Sequence, residues 1–270
     1  MSNDSDAIVV NNPWGKLRQH TSARIALGRS GTSLPTGPHL EFQLAHARAR
    51  NAVHHELNTV ALSDALRARG FDVITAHSAA ESRPVYLQRP DKGRRLDAPS
   101  RSALEIRPAD TEPADVVFVI GDGLSALAIE ENAVAFLDAV MPSLKADHWR
   151  VGPVVVVSQA RVAVGDEVAE VLGAKIVVVL IGERPGLSSP DSMGIYMTLG
   201  PRSGMTDESR NCISNVRVEG LRYDLAAHKL LYLMTEAKKR GLSGVLLKDE
   251  AEDLSSNAVT TGQNFLLSAD

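Results

Sequence analysis

Four stretches of this chain combine glycines or small residues with side chains able to donate, accept or react. They are Gly121-Asp122-Gly123-Leu124-Ser125, Ser158-Gln159-Ala160-Arg161-Val162, Gly182-Glu183-Arg184-Pro185-Gly186-Leu187 and Arg210-Asn211-Cys212-Ile213-Ser214-Asn215. The third is the most pointed. An aliphatic run, Ile176 to Ile181, stops at a glycine, and an acid and a base then share a tight turn. Glycine permits close backbone approach, and proline fixes φ and removes a donor. If the run is a central strand, the turn lies at its carboxyl end, where open α/β sheets bind ligands. The alternative is a surface turn with a solvated Glu183–Arg184 pair.

Familiar chemistries fail on spacing. A dinucleotide fingerprint needs a third glycine where Ala126 stands, and an acid at the end of the next strand, where Ser158-Gln159 stands. A hydrolase nucleophile elbow around Ser125 needs glycine where Leu127 stands. Cys212 is a potential thiol nucleophile, but no histidine lies near it in sequence; His148 and His228 are distant, and a lone cysteine also serves as a polarizable packing residue. Asp147-His148 lacks the spacing and the glycine of a cobalt-ligating Asp-x-His-x-x-Gly loop. Gly28 to Thr36 is rich in backbone donors but has no Gly-Lys-Ser/Thr ending, so it reads as a plain loop. The basic, turn-rich stretch Tyr86 to Leu96 reads equally as an anion grip or a solvated loop. His54 and His55 are adjacent, hence about 100° apart on a helix, and read as a solvated or satisfied pair. Asp122 and Ser125 could form a helix N-cap pair. What remains is a set of donors, glycines, one acid and arginines, suited to holding a large ligand rather than transforming it.

The elements that would position these residues follow from periodicity. Val116–Ile120, Val154–Val157 and Ile176–Ile181 are short apolar runs, as expected of strands buried on both faces, and helical patterns over 126–144 and 165–172 separate them. Alternation of this kind predicts right-handed crossovers and a parallel sheet. The fold class is α/β: a Rossmann-like parallel sheet with helices on both faces, plus a mainly helical N-terminal region. All four stretches would then emerge as loops on one edge. Residues 195–199 suggest a further strand, and 225–240 a last helix closed by Gly241. Before the sheet, short helices are expected over 17–25, 40–57 (Leu40, Leu44, Ala47 and Ala52 inward) and 60–69, with a strand at 71–75 and a connection at 101–113. The expected divisions are a loose leader at 1–12, the helical region at 13–112, the ligand-binding domain at 113–250 and a polar tail at 251–270. Across 270 residues, 44% hydrophobic composition allows a sizeable core, while a net charge of −4 and 4% aromatics argue against nucleic acid. One cysteine excludes an internal disulfide. No apolar stretch is long enough to span a membrane, and the N-terminus lacks a secretory pattern, so a cytoplasmic protein is expected.

Five stretches together, Thr21 to Gly31, Arg89 to Leu96, Asp122 to Ser125, Gly182 to Leu187 and Asn211 to Asn215, closely resemble the small (light) subunit of ethanolamine ammonia-lyase. The resemblance runs in order from about Leu17 to about Leu247. It implies a carbon–nitrogen lyase that converts ethanolamine to acetaldehyde and ammonia by a radical route with adenosylcobalamin (coenzyme B12). It also implies a hetero-oligomer, in which a large (heavy) subunit carries the substrate site and cobalamin lies between the two. The small subunit would then hold no catalytic residue. The family's corrinoid contacts fall on Val162, Glu183 and Cys212; Arg161 would touch the corrinoid or the partner. Some members carry a longer N-terminal extension that directs packaging into a bacterial microcompartment; the short polar leader before Trp14 points instead to a free cytoplasmic enzyme. The competing reading is a stand-alone α/β binding protein with no ligand in the cleft.

Overall fold

The computed structural model describes residues 8–106 and 112–251. Its centre is a six-stranded sheet in the order β1-β3-β2-β4-β5-β6, formed by Val73–His77 (β1), Val116–Gly121 (β2), Val151–Ser158 (β3), Ile176–Gly182 (β4), Met193–Leu199 (β5) and Asn211–Val216 (β6). The helices are Thr36–His54 (α1), Thr59–Arg67 (α2), Arg83–Gln88 (α3), Ala98–Glu105 (α4), Ala126–Ala146 (α5), Val164–Val171 (α6) and Tyr223–Arg240 (α7). Among the described residues no helix is long and apolar enough to cross a membrane.

The aliphatic runs are strands because both of their faces are covered. Phe118, Ile120, Val154, Val156, Val178 and Leu180 pack beneath α5 and α7, against Phe136, Leu137, Leu230 and Met234. The alternate residues Val117, Val119, Val155, Val157, Val177 and Val179 meet Val164 and Val168 of α6 and Leu104 of α4 on the other face. Each large side chain so buried contributes about 1.5–3 kcal/mol. Ser125 caps α5 by accepting from the Ala128 N–H at 3.2 Å, and Gly241 ends α7 in the left-handed region at φ 69°.

The sheet is mixed, which corrects the expectation of parallel strands throughout. β1, β3, β2 and β4 are parallel, but β5 runs antiparallel to β4, and β6 antiparallel to β5. A parallel neighbour needs a crossover, usually a helix. The connection over 183–192 holds Pro185 and Pro190 and forms no helix, so the chain folds straight back. The stretch 211–215, expected as a loop, is therefore most of strand β6.

Nearer the N-terminus, α1 presents small residues inward, not the expected leucines. Ala45, Ala49 and Ala52 are buried, whereas Leu40 and Leu44 are 57% and 53% exposed and Ala47 is exposed. Alanine lets the backbone of α1 approach closely and leaves the bulky side chains outside. A 3-10 helix at Pro13–Gln19, capped by Asn12, replaces the helix expected over 17–25. Val10 pairs with Arg29. Helix α4 stands where a connection was expected, started by Asp97, which accepts from the Ser100 N–H at 2.8 Å. The strand expected at 71–75 forms, two residues later, as edge strand β1 at Val73–His77 and pairs with β3 from Val73↔Val154 to His77↔Ser158. Of the leader expected to be loose at 1–12, residues 1–7 lie outside the described residues, while Val10 bridges to Arg29 and Asn12 caps the 3-10 helix; of the tail expected at 251–270, residues 252–270 lie outside them.

Two backbones close directly on each other at the carboxyl ends of β2 and β4. The Leu124 N–H donates to the Gly182 carbonyl at 2.9 Å, and a Cβ on Gly182 would stand 2.0 Å from the Ser125 oxygen. Gly182→Ala should therefore cost about 3 kcal/mol or more, as overpacking against backbone does. Gly173→Ala, at φ 64° with open space around it, should cost only the left-handed penalty of about 1–2 kcal/mol. Urea unfolding of the two variants checks the order, and equal losses would refute this account of Gly182.

Candidate functional site

The carboxyl ends of β1, β3, β2 and β4 share one edge of the sheet. β5 enters that edge at Met193, opposite Gly182, and β6 leaves it at Val216, opposite Met193. Glu183 is the first residue beyond β4. Its N–H donates to the Ser192 carbonyl at 2.9 Å, and the Ser192 hydroxyl donates back to Glu183 Oε2 at 2.5 Å. The Asn215 N–H reaches both carboxylate oxygens at 3.4 Å. Gly194 makes room for this side chain, since a Cβ there would lie 3.0 Å from Glu183 Oε1 and 3.2 Å from Tyr196. A glycine inside a strand often marks such a close approach.

Asn215 turns into the left-handed region at φ 59° and produces a register shift between β5 and β6. Bulges of this kind re-aim side chains near sites. Cys212 lies directly opposite Tyr196 on this ladder, three residues along the chain from Asn215. The phenol of Tyr196 neighbours the thiol, and burial, then Cys212 and Glu183, push the phenol's pKa up. Although Cys212 as a residue is exposed, loss of solvent around its thiol pushes that pKa up too; the Tyr196 hydroxyl pulls it back, and the Glu183 charge adds to the rise. Glu183, Tyr196 and Cys212 thus form one cluster.

Arg161 and Val162 occupy the turn between β3 and α6. The Arg161 N–H donates to the Gly93 carbonyl at 2.7 Å, and the Arg161 guanidinium lies 4.4 Å from the centre of the Tyr86 ring. The Arg161 and Val162 carbonyls accept from the Val164 and Gly165 N–H groups at 3.0 Å each, opening α6. Among the described residues no hydrogen bond or ion pair joins this turn to Glu183. β3 and β6 are separated by β2, β4 and β5, so four strand spacings, about 19 Å, lie between the turn and Cys212. The structure therefore does not bring this turn into contact with the Glu183 cluster. A separate cleft at the opposite edge of the sheet, beside Phe71, Met141, Trp149 and Arg150, contains none of these residues.

The sequence model of the family described as ethanolamine ammonia-lyase light chain matches residues 11–248. The chain belongs to the ethanolamine ammonia-lyase small-subunit family. A relative named ethanolamine ammonia-lyase small subunit from Pseudomonas aeruginosa is 58% identical over 264 residues, covering 97% of this chain and 96% of the relative. Relatives of the same name from Azotobacter vinelandii and Ralstonia nicotianae are 55% identical over 269 residues (99% of each chain) and 56% identical over 250 residues (92% of this chain, 93% of the relative). The chain is a subunit of a heteromeric lyase.

Of the residues singled out in this small subunit, Glu183 and Cys212 come together, and Arg161 and Val162 share the next group of loops. Cys212 sits within a strand, set back from the edge. Asp122 and Ser125 do not act as a cap pair: Ser125 caps α5 alone and donates to the Pro190 carbonyl at 2.7 Å, while Asp122 turns towards β3. The basic stretch is held through Gly93, whose carbonyl accepts from the Arg161 N–H, and through buried Leu96, while Arg89 pairs with Asp91 within the stretch and Arg94 and Arg95 are exposed. His55 meets Glu130 at 2.8 Å. Ser192, Gly194 and Tyr196 were not singled out from the sequence, although a glycine within an apolar strand was a readable signal. Among the described residues no cluster of histidine, cysteine and carboxylates could hold a metal ion.

The raised thiol pKa has a checkable consequence. In the chain alone, alkylation of Cys212 by iodoacetamide should reach half its limiting rate at a higher pH than for a free cysteine, because less thiolate exists at a given pH. Glu183→Gln removes the neighbouring negative charge and should move that midpoint down. An unmoved midpoint in the variant would separate the two side chains.

Proposed function

We propose that this chain is the small subunit of an adenosylcobalamin-dependent ethanolamine ammonia-lyase, holding the corrinoid against the large subunit while ethanolamine becomes acetaldehyde and ammonia. The observation that carries the reading is the fixed carboxylate of Glu183, supported from Ser192 and Asn215 beside Tyr196 and Cys212. The residues fit the group. A corrinoid rim carries amide side chains, which need acceptors for their NH2 groups. Glu183 supplies an acceptor already oriented by two donors, and the hydrogen at Gly194 leaves space beside it. Cys212 and Val162 offer small apolar or polarizable contact to a flat ring, and Arg161 adds a cation at the other end of the array.

When bound, the cofactor supplies the radical chemistry. The task of this chain is to bind and orient. Ser192 and Asn215 hold Glu183 in one position, so little side-chain entropy remains to be lost on binding. Tyr196 supports Cys212 from the neighbouring strand. In this reading the substrate site belongs to the large subunit, and the cluster holds the cofactor rather than acting on ethanolamine. Leu40 and Leu44, left outside by the alanine stripe of α1, belong to a chain that functions beside a partner.

The test is reconstitution with a large subunit, adenosylcobalamin and ethanolamine, reading acetaldehyde, with each subunit alone as control. Activity should require both subunits and the cofactor. Glu183→Ala removes hydrogen bonds to a charged acceptor, worth about 1.5–3 kcal/mol, and should raise the KM for cofactor by about ten- to a hundredfold. A functional complex that shows no dependence on cobalamin would refute the proposal.

A further inference from the structure

The turn that carries Arg161 and Val162 is restrained far beyond what a connection from β3 to α6 requires. Gln159 sits at φ 55°, a left-handed conformation that costs a non-glycine residue about 1–2 kcal/mol and persists only where its surroundings over-determine it. The backbone polar atoms of residues 159–161 are tied one by one. The Gln159 N–H donates to Asp122 Oδ2 at 3.0 Å, and the Ala160 N–H to Asp122 Oδ1 at 2.8 Å. The Gln159 carbonyl accepts from the Ser78 hydroxyl at 2.7 Å, and the Ala160 carbonyl from the Tyr86 hydroxyl at 3.0 Å. Gly93 takes the Arg161 N–H, and the Tyr86 ring lies against the Arg161 guanidinium.

Asp122 is the one side chain that grips two of these atoms. It is 1% exposed, so it cannot itself reach a ligand at the surface. Its charge is met by Arg83 Nη1 at 3.3 Å, and the same guanidinium group donates to the Gly123 carbonyl at 2.8 Å and contacts Gln159 Oε1 at 3.4 Å. From Asp122 the restraint passes through Gln159 and Ala160 to the two residues placed toward the cofactor.

We infer that Asp122 is a positioning residue for the corrinoid, setting the Gln159–Ala160 turn so that Arg161 and Val162 meet it in one fixed geometry. This rests on the cofactor reading proposed above. Asp122→Asn keeps the shape, but it removes the charge that meets Arg83 and turns an NH2 group toward one of the two N–H donors, so the ion pair and one backbone restraint are both lost. Tyr86→Phe keeps the ring under Arg161 and releases only the Ala160 carbonyl.

The experiment uses the complex of this chain with the large subunit. Cyanocobalamin binding is measured by equilibrium dialysis and visible absorption, alongside the KM for adenosylcobalamin and kcat. For Asp122→Asn, the Kd for cyanocobalamin and the cofactor KM should rise together about tenfold, with kcat at saturating cofactor within about threefold of wild type and the KM for ethanolamine unchanged. Tyr86→Phe should give a smaller rise in the same two quantities. An unchanged Kd in both variants, or a loss of kcat at unchanged Kd, would overturn the inference. If Asp122→Asn does not assemble, Tyr86→Phe decides it by the same criterion. Failure of the wild-type complex to take up cyanocobalamin would instead overturn the cofactor reading itself.

Discussion

The buried carboxylate of Asp122 is where three separate segments of the chain meet. It stands just past β2, accepts from the turn after β3, and faces Arg83 of α3, whose Nε reaches back to the Val53 carbonyl of α1. Burial pushes this carboxyl's pKa up, while the Ala160 N–H, Arg83 and the Gln159 N–H pull it back. Such an arrangement is tolerable only when complete: removing one partner of a buried ion pair leaves an uncompensated charge, at about 3–5 kcal/mol. The N-terminal helices are thereby connected to the carboxyl edge of the parallel strands by polar contacts as well as by apolar packing.

That edge has an unusual consequence for where a ligand can sit. The carboxyl ends of β2 and β4 flank the point at which strand order reverses, the usual crevice of an open α/β sheet. Here Gly123, Gly182 and the Leu124 N–H fill it with backbone. The candidate residues instead lie on either side, with Arg161 and Val162 after β3 and the Glu183–Tyr196–Cys212 cluster over β4, β5 and β6. Because β5 and β6 run antiparallel, side chains from within strands take part, not only loop residues. The mixed sheet, which departs from the parallel expectation, is what brings Cys212 toward Glu183.

Much of this was legible in the residues. The runs 116–120, 154–157 and 176–181 could be read as strands because burial on both faces demands continuous apolar residues, and Gly241 marked the end of the last helix. Strand direction after Gly182 was not legible from the strands themselves, since an apolar run looks alike in either sense; the proline-bearing connection held the information. The inward face of α1 was misread because Leu40 and Leu44 repeat at helical spacing as well as the alanines do, and only the neighbouring surface decides between them. Asp122 looked like a cap residue because capping is local, whereas its actual partners lie in a turn far along the chain. The resemblance to the lyase family carried Glu183 and Cys212; their supports Ser192 and Gly194 depended on the register of β5.

Strand order also sets an order of events as the chain is made. β2, α5, β3, α6 and β4 are contiguous in sequence and can assemble from their own contacts. β1 cannot: among the described residues its only neighbour in the sheet is β3, which is synthesised much later. Until then α2 holds Leu62 and Leu66, and α1 its alanine stripe, against nothing. Closing such non-local contacts is slow, and unpaired strands and uncovered apolar helices are the species that aggregate while folding is incomplete. Helices α1 and α2 and strand β1, made before β3, are therefore among the last of the described elements to find their place.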